Sequence, residues 1–186
     1  MLLHKLIKTF KKLDKDSLFI DIGGYKGKFS ELIWEEYACP IIIFEPFPEY
    51  FNNIYQLLGK NSNINIFNVG LDNDTKMYPL YPHGEGTSFY KDLNDSKDKD
   101  AHIAFMADAG MVLKNFSITS VKINAEGSEY AIIESLDREG VLGTIDELLI
   151  QFHPLNEYSY DVAISKLLKT HTQEKYRKGW EMFRLK

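Results

Sequence analysis

An alternation beginning at Ser17 constrains this chain most: short apolar runs, rich in β-branched and aromatic residues, take turns with longer segments of helical period. The runs are Leu18 to Ile22, Ile41 to Phe44, Ile64 to Val69, Val121 to Ile123 and Leu148 to Phe152. Most are apolar at consecutive positions, the pattern of strands covered on both faces. Helices are predicted at Lys28 to Tyr37, Glu49 to Leu58, Glu129 to Leu136 and Tyr158 to Thr170, with Pro48 placed at the start of the second. Strands separated by crossover helices imply an α/β fold, a mostly parallel central sheet with helices on both faces. Gly179 to Leu185 reads as one last strand, antiparallel at an edge.

The 186 residues suit one domain with a sheet buried on both faces; two full domains would be cramped. Hydrophobic residues at 44% and charged residues at 26% give the balance of a packed globular protein. A net charge of -5 offers no electrostatic reason to attract nucleic acid or an anionic membrane, so neither is expected as a partner. The single cysteine, Cys39, rules out an internal disulfide and suits a reducing compartment, so a cytoplasmic location is expected. Its simplest role is that of a small buried hydrophobe.

Residues 1–16 hold no apolar stretch long enough for a secretory signal or a membrane span. Leu3, Leu6, Ile7, Phe10 and Leu13 recur at helical spacing, which predicts a helix docked on the domain rather than stable membrane insertion. Tyr81 to Ala101, with Pro82, Gly84, Gly86 and the mixed-charge run KDLNDSKDKD, has too few apolar residues for a core element and is expected to be a lid-like loop.

The first strand runs into Gly23-Gly24-Tyr25-Lys26-Gly27 and then into a helix. Glycines there let the backbone turn tightly and approach a ligand at the carboxyl edge of the sheet, where open α/β folds bind ligands. A dinucleotide fingerprint starting at Gly23 would need glycine at positions 25 and 28, where Tyr25 and Lys28 stand, which argues against a nicotinamide cofactor. The pattern is instead D-x-G-x-x-x-G from Asp21 to Gly27. An acid at Asp21 suits a ligand carrying an ammonium group, as S-adenosylmethionine does on its amino-acid tail. Glu45 closes the next strand about twenty residues after Gly27, the spacing of a carboxylate that holds ribose hydroxyls. A glycine loop alone is equally explained as a tight turn; two acids at consecutive strand ends favour a cofactor site.

A third strand-to-helix junction, VKINAEGSEY from Val121, completes an ordered set with FIDIGGYKGKFS, IIIFEPFPEYF, NVGLDN, GTSF and LLIQFHP. Over roughly Leu18 to Pro154 this set resembles the FkbM family of S-adenosylmethionine-dependent methyltransferases. The resemblance implies a seven-stranded methyltransferase sheet and a hydroxyl acceptor on a small molecule or glycan. It implies that Asp21, Gly23, Gly24, Tyr25 and Gly27, with Glu45 and Pro46, line the cofactor, and that the turn Gly70, Leu71 and Asp72 lies near the adenine. Lys122, Glu126 and Glu129 would flank the reaction, and Ser88, Asn124 and Gln151, together with Glu129, would face the acceptor.

His153, at a strand's carboxyl end, has an ordinary pKa suited to a general base, and a structural role beside Pro154 accounts for it equally well. The helix start favours Glu126 and Glu129 electrostatically whatever their function, and Lys122 could equally be a structural partner of an acid. Two positions depart from the family pattern: Asn124 replaces an acid, and Gln151 stands where a glutamate is common. Each swap keeps a hydrogen-bonding side chain of similar shape and removes a carboxylate. Amides are weak ligands for hard cations, so no metal is expected. The same swaps suggest, as an alternative to an O-methyltransferase, a protein that binds the cofactor without catalysis.

Overall fold

The computed structural model describes residues 2–83, 86–88, 101–154, 159–176 and 179–186. After a short helix, α1 (Leu2–Ile7), the chain alternates through β1 (Phe19–Ile22), α2 (Lys28–Tyr37), β2 (Ile41–Phe44), α3 (Pro48–Leu58) and β3 (Ile64–Phe67). Every residue of β1 and β2 is buried, which is why these runs admit almost no polar residue. Pro48 sits in the first turn of α3, where a missing N–H leaves no bond unmade. Four further strands follow: β4 (Gly70–Asp72), β5 (Lys76–His83), β6 (Gly86–Ser88) and β7 (His102–Asp108). The remainder is α4 (Ala109–Leu113), β8 (Ser120–Ile123), α5 (Glu129–Arg138), β9 (Glu147–Gln151), α6 (Tyr160–Thr170), β10 (His171–Lys175) and β11 (Trp180–Leu185).

Seven strands form one sheet in the order β10-β11-β9-β8-β1-β2-β3, and β11 runs antiparallel to both of its neighbours. Side chains alternate across it. Phe19, Ile41, Ile43 and Leu149 join a core with residues of α1, α2 and α3, whereas Ile20, Ile22, Ile42, Phe44 and Leu148 join a second core with α5 and α6. The order reverses at β1: the chain first builds outward through β2 and β3, then returns to β8 on the other side. Such a reversal opens a crevice at the carboxyl ends of the two central strands.

The amino-terminal segment is docked as expected, although its helix ends at Ile7. Leu6, Ile7, Phe10 and Leu13 are buried, and the Tyr37 hydroxyl donates to the carbonyls of Ile7 and Phe10 at 2.9 and 3.1 Å. The backbone N–H groups of Lys11 and Lys12 donate to the buried carboxylate of Glu147. Among the described residues no helix is long and apolar enough to cross a membrane.

Three expectations need correction. Gly70 to Asp72 is not a turn but β4, which pairs with β7 in a second sheet of order β4-β7-β5-β6. The stretch expected as a loop from Tyr81 opens instead with the end of β5 and with β6, while residues 89–100 lie outside the described residues. Finally, β11 is antiparallel but internal; the edge belongs to β10, where only His171 is buried and no apolar run announces a strand.

Candidate functional site

A cleft open to solvent lies at the carboxyl ends of β1 and β8. Its floor is the two strand ends: Ile22, Gly23 and Tyr25 after β1, and Asn124 to Glu126 with Ser128 after β8. Phe44, Glu45, Pro46, Tyr50, Gly70, Leu71, Leu80 and Met106 complete the lining. Leu80 and Met106 belong to β5 and β7, so the second sheet supplies an apolar wall.

Gly23 shows why glycine is required in the first turn. It has φ of 81°, and a Cβ there would collide with the carbonyl oxygen of Asn124. The two strand-end turns thus touch through backbone. Tyr25 and Glu126, the residues projecting from these turns, also have positive φ, 51° and 48°. Two non-glycine residues held left-handed on one cleft mark a place where local strain is tolerated by the surrounding structure.

Glu45 is 4% exposed, and its carboxylate receives the N–H of Tyr25 at 2.8 Å and that of Phe47 at 2.9 Å. Burial pushes its pKa up to about 7, against the opposing pull of those two hydrogen bonds. Such a carboxylate gains from any further donor a ligand brings. Asn124 Oδ1 and Ser128 Oγ are buried and have no hydrogen-bond partner among the described residues. Unpaired buried polar atoms of this kind cost about 1–3 kcal/mol each, so a ligand offering complementary groups is favoured.

Beneath the cleft lies a closed ionic network. Lys122 Nζ donates to Asp21 Oδ1 at 2.9 Å and to the carbonyl of Gly23 at 2.6 Å, while Ser30 Oγ donates to Asp21 Oδ2 at 2.6 Å. Asp21 is fully buried and Lys122 nearly so. The β1/β8 register, which sets Asp21 opposite Lys122, creates the pair.

Next to Glu126, His153 stands between two carboxylates. Its Nδ1 is 3.1 Å from Glu129 Oε1, and its Nε2 is 3.6 Å from Glu126 Oε2. Burial opposes protonation of the ring, but the hydrogen bond and charge of Glu129, aided by the charge of Glu126, outweigh it and raise the pKa above the ordinary 6.5. Among the described residues, no group of three His, Cys, Asp or Glu side chains is placed to hold a metal ion.

No protein-family model matches the chain, and no curated protein matches it. Solved structures do. An rRNA methylase from Streptococcus thermophilus shares 9% identity, with 100% of this chain and 95% of that one covered at a TM-score of 0.56. The precorrin-6y C5,15-methyltransferase from Geobacter metallireducens shares 13%, with coverage of 98% and 87% and a TM-score of 0.56. TrmK of M. capricolum, solved with its natural cofactor product S-adenosylhomocysteine, shares 11%, with coverage of 99% and 66% and a TM-score of 0.52. This is the Rossmann-like fold of class I methyltransferases.

Within that class I fold, the positions expected from sequence divide into three groups. Gly23, Tyr25, Glu45, Pro46, Gly70 and Leu71 line the cleft, as do Asn124 and Glu126. Gly24 and Gly27 serve packing and the turn instead: a Cβ on Gly24 would meet Ile43 and Ile54, and Gly27 precedes α2 with φ of 81°. Four residues depart from direct ligand roles. Asp21 spends both carboxylate oxygens on Lys122 and Ser30, so its influence on a ligand passes through the glycine turn rather than through contact. Lys122 is correspondingly a structural cation rather than a group in the cleft. Asp72 Oδ2 pairs with Lys76 at 2.9 Å while its Oδ1 is buried with no hydrogen-bond partner among the described residues, and Glu129 is fully buried.

Gln151, which ends β9, and His153 are not among the lining residues, although His153 Nε2 is 3.6 Å from Glu126, which is; β6 carries Ser88 opposite Tyr81. Sequence reasoning missed Ile22, Phe44, Tyr50, Leu80, Met106, Ala125 and Ser128. No sequence signal pointed to Met106, because the exposed Ile103 and Phe105 and the buried Ala104 and Met106 of β7 are all apolar.

Proposed function

We propose that the protein is an S-adenosylmethionine-dependent methyltransferase of the FkbM kind that methylates a hydroxyl oxygen on a small molecule or sugar. The observation that carries this reading is the convergence of Glu45, Asn124 and Ser128 on one cleft, a buried carboxylate and two unsatisfied polar atoms at the switch point of a class I fold. The S-adenosylhomocysteine solved with TrmK supports the choice of cofactor.

Glu45 would accept the ribose hydroxyls, and Leu71, Leu80 and Met106 would cover the adenine. The Gly23 turn and Asn124 would meet the amino-acid tail. When bound, the cofactor would supply an activated methyl group on its sulfonium. The chain's own task is to orient the acceptor and to take one proton. Glu126, on the cleft wall, would hold the acceptor hydroxyl, and His153 beside it would take that proton through Nε2.

Acid in the cleft favours a neutral hydroxyl acceptor over a polyphosphate, in line with a net charge of -5 and no nucleic-acid partner. A buried, reduced Cys39 suits the cytoplasm. Incubating the purified protein with methyl-labelled cofactor and a panel of neutral sugars and hydroxylated metabolites, with ribosomal and transfer RNA in parallel, tests the acceptor. Label on a hydroxyl compound is expected. Label on RNA alone would overturn the acceptor class, and no transfer despite cofactor binding would leave a binding protein without catalysis.

A further inference from the structure

We infer that Glu129 is a positioning residue that fixes the tautomer and orientation of His153, and the inference rests on the proton-acceptor role proposed for that histidine. The Glu129 carboxylate is fully buried, accepts two backbone N–H groups and faces the ring of His153. Oε1 receives the N–H of Ala125 at 2.7 Å and faces His153 Nδ1 at 3.1 Å, and Oε2 receives the N–H of Gly127 at 3.0 Å.

A carboxylate, which can only accept, forces the ring to present Nδ1–H inward. A neutral His153 then carries its lone pair on Nε2, the nitrogen 3.6 Å from Glu126 on the cleft wall. In water the neutral ring favours the opposite tautomer, so the buried carboxylate selects the form able to take a proton on the cleft side.

The same carboxylate shapes the turn that carries Glu126. Ala125 and Gly127 flank Glu126, and both of their N–H groups end on Glu129. Glu126 and Gly127 have φ of 48° and 110°, conformations that these two bonds hold in place. One buried side chain therefore sets both groups proposed to meet the acceptor. Its position at the start of α5 would be favourable for any acid, so the helix alone accounts for a carboxylate there but not for its hold on the ring.

Nitrogen NMR of His153 in the full chain, with and without S-adenosylhomocysteine, tests the inference. The parent should show the Nδ1–H tautomer when neutral. In Glu129→Gln the amide places a donor among groups that need an acceptor, so the ring should invert to Nε2–H and titrate at lower pH. Glu129→Asp keeps the charge and should retain the parent tautomer, whereas Glu126→Gln should lower the titration point without inverting it.

An Nε2–H ring in the parent, or an unchanged tautomer and titration in Glu129→Gln, overturns the inference. If Glu129→Gln does not fold, the parent and Glu129→Asp spectra decide. Because the readout needs neither acceptor nor methyl transfer, failure to bind S-adenosylhomocysteine would defeat the proposed function and leave the tautomer result standing.

Discussion

Lys122→Ala should lower the folding free energy by about 3–5 kcal/mol, because it leaves the Asp21 carboxylate buried without its cation. That is a large share of the roughly 5–15 kcal/mol by which native domains are stable. The variant also frees the carbonyl of Gly23, which Lys122 holds at 2.6 Å, so the glycine turn should loosen with it. The double variant Asp21→Asn with Lys122→Met removes both charges together and should lose far less, since the penalty comes from the orphaned ion rather than from the missing attraction. Denaturant unfolding of the three proteins measures this. A Lys122→Ala protein of parental stability that no longer transfers methyl groups would instead make Lys122 a participant in the reaction.

His153→Ala should reduce turnover by about 10²–10⁴, with cofactor affinity nearly unchanged, if the imidazole takes the acceptor's proton. The pH dependence follows from the environment of the ring. Glu129 and Glu126 hold its pKa above 6.5, and only the neutral ring can act as a base. The rate should therefore be low in acid and rise with pH through that elevated value. Glu126→Gln removes one of the two negative charges, so the rising limb should move to lower pH while the maximal rate falls. Initial rates across roughly pH 5.5 to 9, a window bracketing the histidine range, with an acceptor found in the panel provide the check. A flat profile and a fully active His153→Ala would show that another group takes the proton.

The inner strands of the central sheet were legible because they are covered on both faces, and a continuous apolar run such as Ile41 to Phe44 fits a doubly covered strand far better than a short surface helix. Legibility failed where burial is one-sided. The second sheet exposes Met77, Ile103 and Phe105 and buries Leu80, Ala104 and Met106, so its strands alternate over short spans, and Pro79 and Pro82 interrupt β5. Polar β10 was invisible for the same reason, with His171 alone buried.

In the site, Glu45 was readable as an acid at a strand end, since position along the chain sets its place on the cleft. Asp21 and Lys122 were readable as positions but not as a pair. They are 101 residues apart, and only strand register brings them together. The resemblance implied that Glu129 faces the acceptor, but a motif does not reveal that its carboxylate is buried and turned onto Ala125, Gly127 and His153.

Calorimetric titration of S-adenosylhomocysteine into the parent and into Glu45→Ala tests the central claim most directly. The parent should bind with one-to-one stoichiometry, and Glu45→Ala should lose about 1.5–3 kcal/mol through the missing charged hydrogen bonds, roughly a 10- to 150-fold weaker affinity. Equal affinity in the two proteins, or no binding by a folded parent, would contradict the assignment of this cleft to an S-adenosylmethionine cofactor.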